Sequence, residues 1–191
     1  MNKLSSKKKS LKIAVGVLVV SYVILAIALI IVSNKMNVYK EILKVGTIDI
    51  SLQTDGLSLY DSASLSYEQH NYLLTEQYCE QARTKFSAYT QSLREAKAGL
   101  NTNVEILDVY SRMLDEEISI YLNLYEACEH FESASRFYET YYNHYGTNED
   151  YEMGGNEIDS MNEKISAHDS AVGRYNDLLA EYSIELKRLI G

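Results

Sequence analysis

The sequence predicts an all-α protein: a single N-terminal transmembrane helix, then an elongated up-down antiparallel bundle of three helices, or four, with coiled-coil character. Three observations carry this. Residues 13–32 are a twenty-residue run in which only Gly16, Ser21 and Tyr22 interrupt aliphatic side chains. The chain has no proline and nine glycines, so helix breakers are few enough to act as punctuation. Beyond residue 58, apolar residues recur at steps of three, four and seven, the spacing of one helical face.

The run at 13–32 is long enough to cross a bilayer. Lys3, Lys7, Lys8, Lys9 and Lys12 precede it, and cytoplasmic flanks carry the excess of cations. Residues 1–12 then form a basic cytoplasmic tail, 13–32 a signal anchor, 33–57 a juxtamembrane stalk and connector, and 58–191 an extracytoplasmic bundle. Two other readings compete. Ala26 and Ala28 form an A-x-A pattern that a signal peptidase could cut, although the apolar core exceeds the 7 to 15 residues usual for a signal peptide. Lys35, Lys40 and Lys44 also follow the run, which favours the opposite topology.

Charge separates the two sides of the span. Residues 36–191 hold twelve Lys and Arg against all 27 Asp and Glu, whereas the residues before them hold six cations and no acid. A surface near −15 repels phosphate backbones and anionic head groups, which excludes nucleic acid as a partner and leaves the lysine-rich tail as the part suited to anionic lipid.

Each bundle helix follows from its pattern. The first is expected over about 58–98, with Gly46 and Gly56 bracketing a connector before it and Gly99 as a left-handed stop after it. Thr102 and Glu105 have capping-box spacing and would open a second helix, about 103–145. Gly154 and Gly155 sit in the expected second turn, and Asn156 would cap a third helix over 156–190. Along it Ile158, Met161, Ile165, His168, Val172, Tyr175, Leu179, Tyr182, Leu186 and Leu189 form a coiled-coil seam. Gly173 beside Ala171 would let another backbone approach closely. Three such helices make a rod with the Gly99 turn at the far tip and the Tyr145–Asn156 turn beside the bilayer.

The chain has 17 tyrosines against three phenylalanines and no tryptophan. Most fit a slender core with hydroxyls at its rim. Tyr138, Tyr141, Tyr142, Tyr145 and Tyr151 concentrate at the expected membrane-proximal turn and are candidates for a membrane-interface belt, against which stand the nearby Glu149, Asp150 and Glu152. Cys79 and Cys128 fall at similar depth in the first hairpin. A disulfide across it competes with two buried thiols acting as small hydrophobes.

Signals for chemistry are weak. None of His70, His130, His144 and His168 has a Glu three residues before it, so the di-iron bundle pattern is missing, as are phosphate-loop, G-x-S-x-G and calcium-loop motifs. Glu126, Cys128 and His130 could share a helical face, where a solvated acidic face is the commoner outcome. The sequence therefore predicts no enzyme, no metal and no cofactor. It predicts a membrane-anchored scaffold or protein-interaction module, a homo-oligomer or a partner of another helical protein through the third-helix seam. The alternative is an extracytoplasmic ligand-binding or sensory domain, resembling in outline the helical periplasmic domains of chemoreceptors. Those have a second span and an output region; this sequence has no second apolar run, so a sensor would signal through a partner.

Overall fold

In the computed structural model the described residues are Leu25, 29–42, 48–100 and 102–190, and the chain divides into two units, Met1–Ile42 and Leu43–Gly191. In the first unit residues 29–42 form a helix, α1. The expected span at 13–32 lies outside the described residues except for Leu25, Leu29, Ile30, Ile31 and Val32. Those five side chains are 50–62% exposed. Among the described residues no helix is long and apolar enough to cross a membrane.

The second unit contains α2 (Ile50–Glu68), α3 (Tyr72–Ala98), α4 (Glu105–Asn143) and α5 (Asn148–Ile190), with no strand among the described residues. Contacts between helices fix their directions. Lys85 bonds Asp55 across α2 and α3, while Arg83–Glu132 and Lys97–Asp115 run α3 against α4. Lys164–Glu126, Arg174–Glu116 and Arg112–Glu181 run α4 against α5. Tyr60 packs on Phe131 and Tyr67 on Tyr138, which sets α2 parallel to α4. The result is an up-down-up-down bundle of four helices, where three, or four, were expected.

The extra helix comes from a break inside the segment expected to be continuous over 58–98. The first helix starts earlier, at Ile50, where the Asp49 carboxylate accepts from the Ser51 amide at 2.9 Å. It ends at a turn of three polar residues: His70 takes a left-handed backbone (φ 57°) and the Asn71 side chain caps α3 by accepting from the Leu74 amide. No glycine or proline marks the place. Gly56, expected in a connector, lies inside α2, where a Cβ would come within 2.6 Å of the Phe86 ring. Its absence lets α2 and α3 pack closely.

The other helix ends also differ from the expectation. Gly99 has φ −85°, outside the left-handed region, and the Thr102–Glu105 box is not formed: α4 is capped by Val104 without a side-chain bond. The third expected helix starts eight residues early. Thr147 and Asp150 make a reciprocal box, the Thr147 amide donating to Asp150 Oδ2 at 2.6 Å and the Asp150 amide to Thr147 Oγ1 at 3.4 Å. Asn156 and both Gly154 and Gly155 are therefore helix interior. The Tyr138 ring lies 2.9 Å from where a Gly154 Cβ would be, so the glycine admits that ring.

The core is built from Cys79, Ala82, Phe86, Leu93, Leu114, Leu124, Cys128, Phe131 and Ala171, each at most 3% exposed. The upper seam residues of α5, Ile158, Met161, Ile165, Val172 and Tyr175, pack against this same cluster. Farther along, Tyr182 stacks on Tyr110 and Leu186 and Leu189 are half-buried, but Leu178 takes the buried position and Leu179 is 43% exposed. Two adjacent leucines satisfy the same heptad spacing, and only packing separates them. Gly173 has nothing within 4 Å of a would-be Cβ, so no backbone approaches it in the fold.

Candidate functional site

Because the chain reverses after Glu68, the α2–α3 turn and the α4–α5 turn lie at one end of the bundle, opposite the N-terminus of α2. This moves the tyrosine-rich turn. In a three-helix rod it would sit beside the bilayer; here it is at the end farthest from where the chain enters the bundle. Tyr67 and Tyr72 reach it from one turn, Tyr138, Tyr141, Tyr142 and Tyr151 from the other.

The rings form a continuous chain from core to surface. Tyr67 lies 5.0 Å from Phe131 and 5.6 Å, edge-on, from Tyr72. Tyr72 stacks on Tyr142 at 5.9 Å with planes 10° apart, and Tyr151 meets both Tyr138 (5.5 Å) and Tyr141 (5.2 Å). Such tilted and offset pairs are each worth about 0.5–1.5 kcal/mol beyond area burial. Burial pushes the phenol pKa of Tyr67, Tyr72 and Tyr138 upward, so these rings stay neutral hydroxyl donors.

Exposure rises sharply along the chain of rings. Tyr138 is buried, Tyr151 and Tyr142 are half open, and Tyr145 is fully exposed at 102%. Tyr145 also has φ 58°; it and His70 are the non-glycine residues with positive φ among the described residues, and both are at this end. A bulky side chain in that region is uncommon and costly. Gly146 completes the turn, its amide donating to the Thr140 carbonyl at 3.1 Å; a Cβ there would fall 2.5 Å from the Tyr141 Cα. Between the two turns lies a cleft of about 330 Å³ lined by His70, Tyr72, Tyr142 and Asn143, with His70 Nδ1 3.0 Å from the Tyr72 hydroxyl.

The electrostatics of this end are one-signed. Around it, residues 60–82 and 137–159 contain ten Asp and Glu and no Lys or Arg. Glu76 is paired with Arg136 of α4, Glu157 lies 2.7 Å from His130 Nδ1, and Asp150 caps α5. Glu68, Glu149, Glu152 and Asp159 add negative charge around the rings.

Below the rings, the sequence-derived cysteine pair is brought together. Cys79 and Cys128 are each 0% exposed, are free thiols, and lie in hydrogen-bond contact; that contact and burial push the Cys79 thiol far above its ordinary value. A network that the sequence reading missed covers them. Arg83 donates to Glu132 at 2.8 Å and to the Tyr125 hydroxyl at 3.0 Å, and Arg136 also bonds Glu132, whose side chain is only 9% exposed. A buried glutamate needs such partners. Their sequence signal is weak, because Arg83 and Glu132 stand 49 residues apart, each with polar as well as apolar neighbours on its own helix face.

The residues weighed for metal go elsewhere. Glu126 pairs with Lys164 at 2.6 Å, His130 Nδ1 is 2.7 Å from Glu157, and His168 Nδ1 is 3.0 Å from Asp169. Among the described residues no group of His, Cys, Asp and Glu could hold a metal ion. Comparison of the chain with protein-family models, with curated proteins and with solved structures finds no match.

Proposed function

We propose that this protein is a membrane-anchored interaction module: residues 13–32 are a single-pass signal anchor with the N-terminus in the cytoplasm, and the bundle stands outside as a scaffold that engages another protein. The observation that carries the interaction reading is the exposed aromatic end, where Tyr142, Tyr145 and Tyr151 stand open to solvent on a rigid base of buried rings. Aromatic side chains at that exposure cost solubility without adding to the core. The anchor is supported by the aliphatic run and its lysine flank, and by Leu25, Leu29, Ile30, Ile31 and Val32, whose exposure suits a helix surrounded by lipid. In this reading Cys79 and Cys128 lie in an oxidising compartment and form a disulfide. Most of the upper α5 seam is occupied by the protein's own core, so the partner meets the bundle end and not that seam.

A second reading, a ligand-binding or sensory domain that signals through a partner, is favoured by the cleft at His70, Tyr72, Tyr142 and Asn143. Topology is tested by placing a cysteine at Asn148 and treating intact cells with a membrane-impermeant maleimide. Labelling from outside supports the module; labelling only after lysis overturns the orientation.

A further inference from the structure

We infer that the aromatic end docks a cationic polypeptide segment, one whose arginine or lysine side chains lie on the open tyrosine rings. The inference rests on the interaction reading above and names the partner's chemistry.

Two independent features converge on it. The first is a platform of electron-rich faces: Tyr142 is 56% exposed and held in place by stacking on Tyr72, and Tyr145 projects fully from a left-handed turn pinned by Gly146. A guanidinium or ammonium over a tyrosine face is attracted by the ring quadrupole, Arg more often than Lys. The second is charge. Ten carboxylates without one Lys or Arg occupy the stretches 60–82 and 137–159 around this end, so a cation approaching the rings meets favourable potential from both turns.

The same charge excludes other occupants. A second copy of this end would bring like charges face to face, and anionic lipid or nucleic acid would be repelled. A neutral apolar helix would gain nothing from the acidic rim. A basic segment satisfies both features together, and steering by the rim makes its association fast and salt-dependent.

The test uses the purified full chain in detergent micelles and a fluorescent peptide of six arginines spaced by serines, with lysine and glutamate versions beside it, read by anisotropy. The arginine peptide should bind, more tightly than the lysine peptide, with affinity falling steeply as salt rises; the glutamate peptide should not. Tyr142→Ser with Tyr145→Ser, both at exposed positions, should weaken arginine-peptide binding at least tenfold, and Tyr145→Phe should restore most of it. Asp108→Asn with Asp177→Asn, which removes two charges near the other end, should change binding less than twofold. No binding to the full chain overturns the inference, as does equal loss in the two double variants, which would mean that net charge alone attracts the peptide. Since binding is read in micelles, it fails or succeeds independently of the maleimide result.

Discussion

The same substitution at two helical glycines should have opposite signs. Gly173 is exposed in α5 with open space around it, so Gly173→Ala removes the backbone-entropy cost of glycine and should stabilise the bundle by about 0.5–1 kcal/mol. Gly56 in α2 would gain the same term, but its new methyl would lie 2.6 and 2.8 Å from two Phe86 ring carbons and 3.3 Å from the Lys85 Cβ. Phe86 is fully buried and its ring sits 5.9 Å from that of Tyr121, so it cannot swing away. Overpacking of that kind costs about 1–3 kcal/mol. The central values leave a net loss of about 1 kcal/mol for Gly56→Ala, or about 2–4 °C in Tm for a chain of this size. Thermal unfolding followed by far-UV circular dichroism reads both variants directly. If Gly56→Ala raises the midpoint as Gly173→Ala does, α2 is not packed on α3 and the fold-back is wrong.

Three further outcomes are expected. Peptide mapping without reductant on protein taken from an oxidising compartment should find Cys79 joined to Cys128, closing a loop of about 50 residues that stabilises the fold by roughly 3–4 kcal/mol; free thiols at both positions, or only intermolecular links, would contradict this. Glu132→Ala should cost about 2 kcal/mol in urea unfolding, since it removes the buried carboxylate shared by Arg83 and Arg136 and leaves them to their outer partners, Tyr125 and Glu76; a neutral result would show that Glu132 is solvated. Glu117 accepts from the Tyr89 hydroxyl at 2.6 Å, yet burial raises its carboxyl pKa, so its contribution to stability is full below the unfolded carboxylate pKa and is lost as pH rises through the higher folded value. Glu117→Gln should therefore unfold at a higher midpoint than the parent at pH 7 and show a flatter dependence through the carboxylate range; a lower midpoint at pH 7 would reverse the assignment.

The helical class was legible because periodicity and the shortage of breakers are properties of the whole chain. Individual ends were not, because glycine served as punctuation in the reading and as a packing residue in the fold. Gly56 and Gly154 make room for Phe86 and Tyr138, and neither ends a helix. The real break, at Gln69–Asn71, has no glycine at all. Its one clue was an Asn before a helical stretch, and Thr147 with Asp150 was an unread capping box of the same kind. The density of tyrosines around residue 140 was visible at once, but its place was not: one missed reversal moves that turn from one end of the bundle to the other. Tyr67, Tyr72 and His70 join the same site across some 70 residues of sequence, a proximity that only the fold supplies.

The reversal after Glu68 is what assembles the aromatic end, and one distance tests it. Spin labels at Ser51 and Gln91, both exposed and placed opposite one another by the Asp55–Lys85 pair, should be read by pulsed dipolar spectroscopy in the full chain. Antiparallel neighbours with axes about 8–10 Å apart give a label separation below about 25 Å. A continuous helix through residue 70 would put 40 residues between them at 1.5 Å each, about 60 Å. The short distance is the prediction; a population centred near 60 Å would dissolve the two-turn end and every inference built on it.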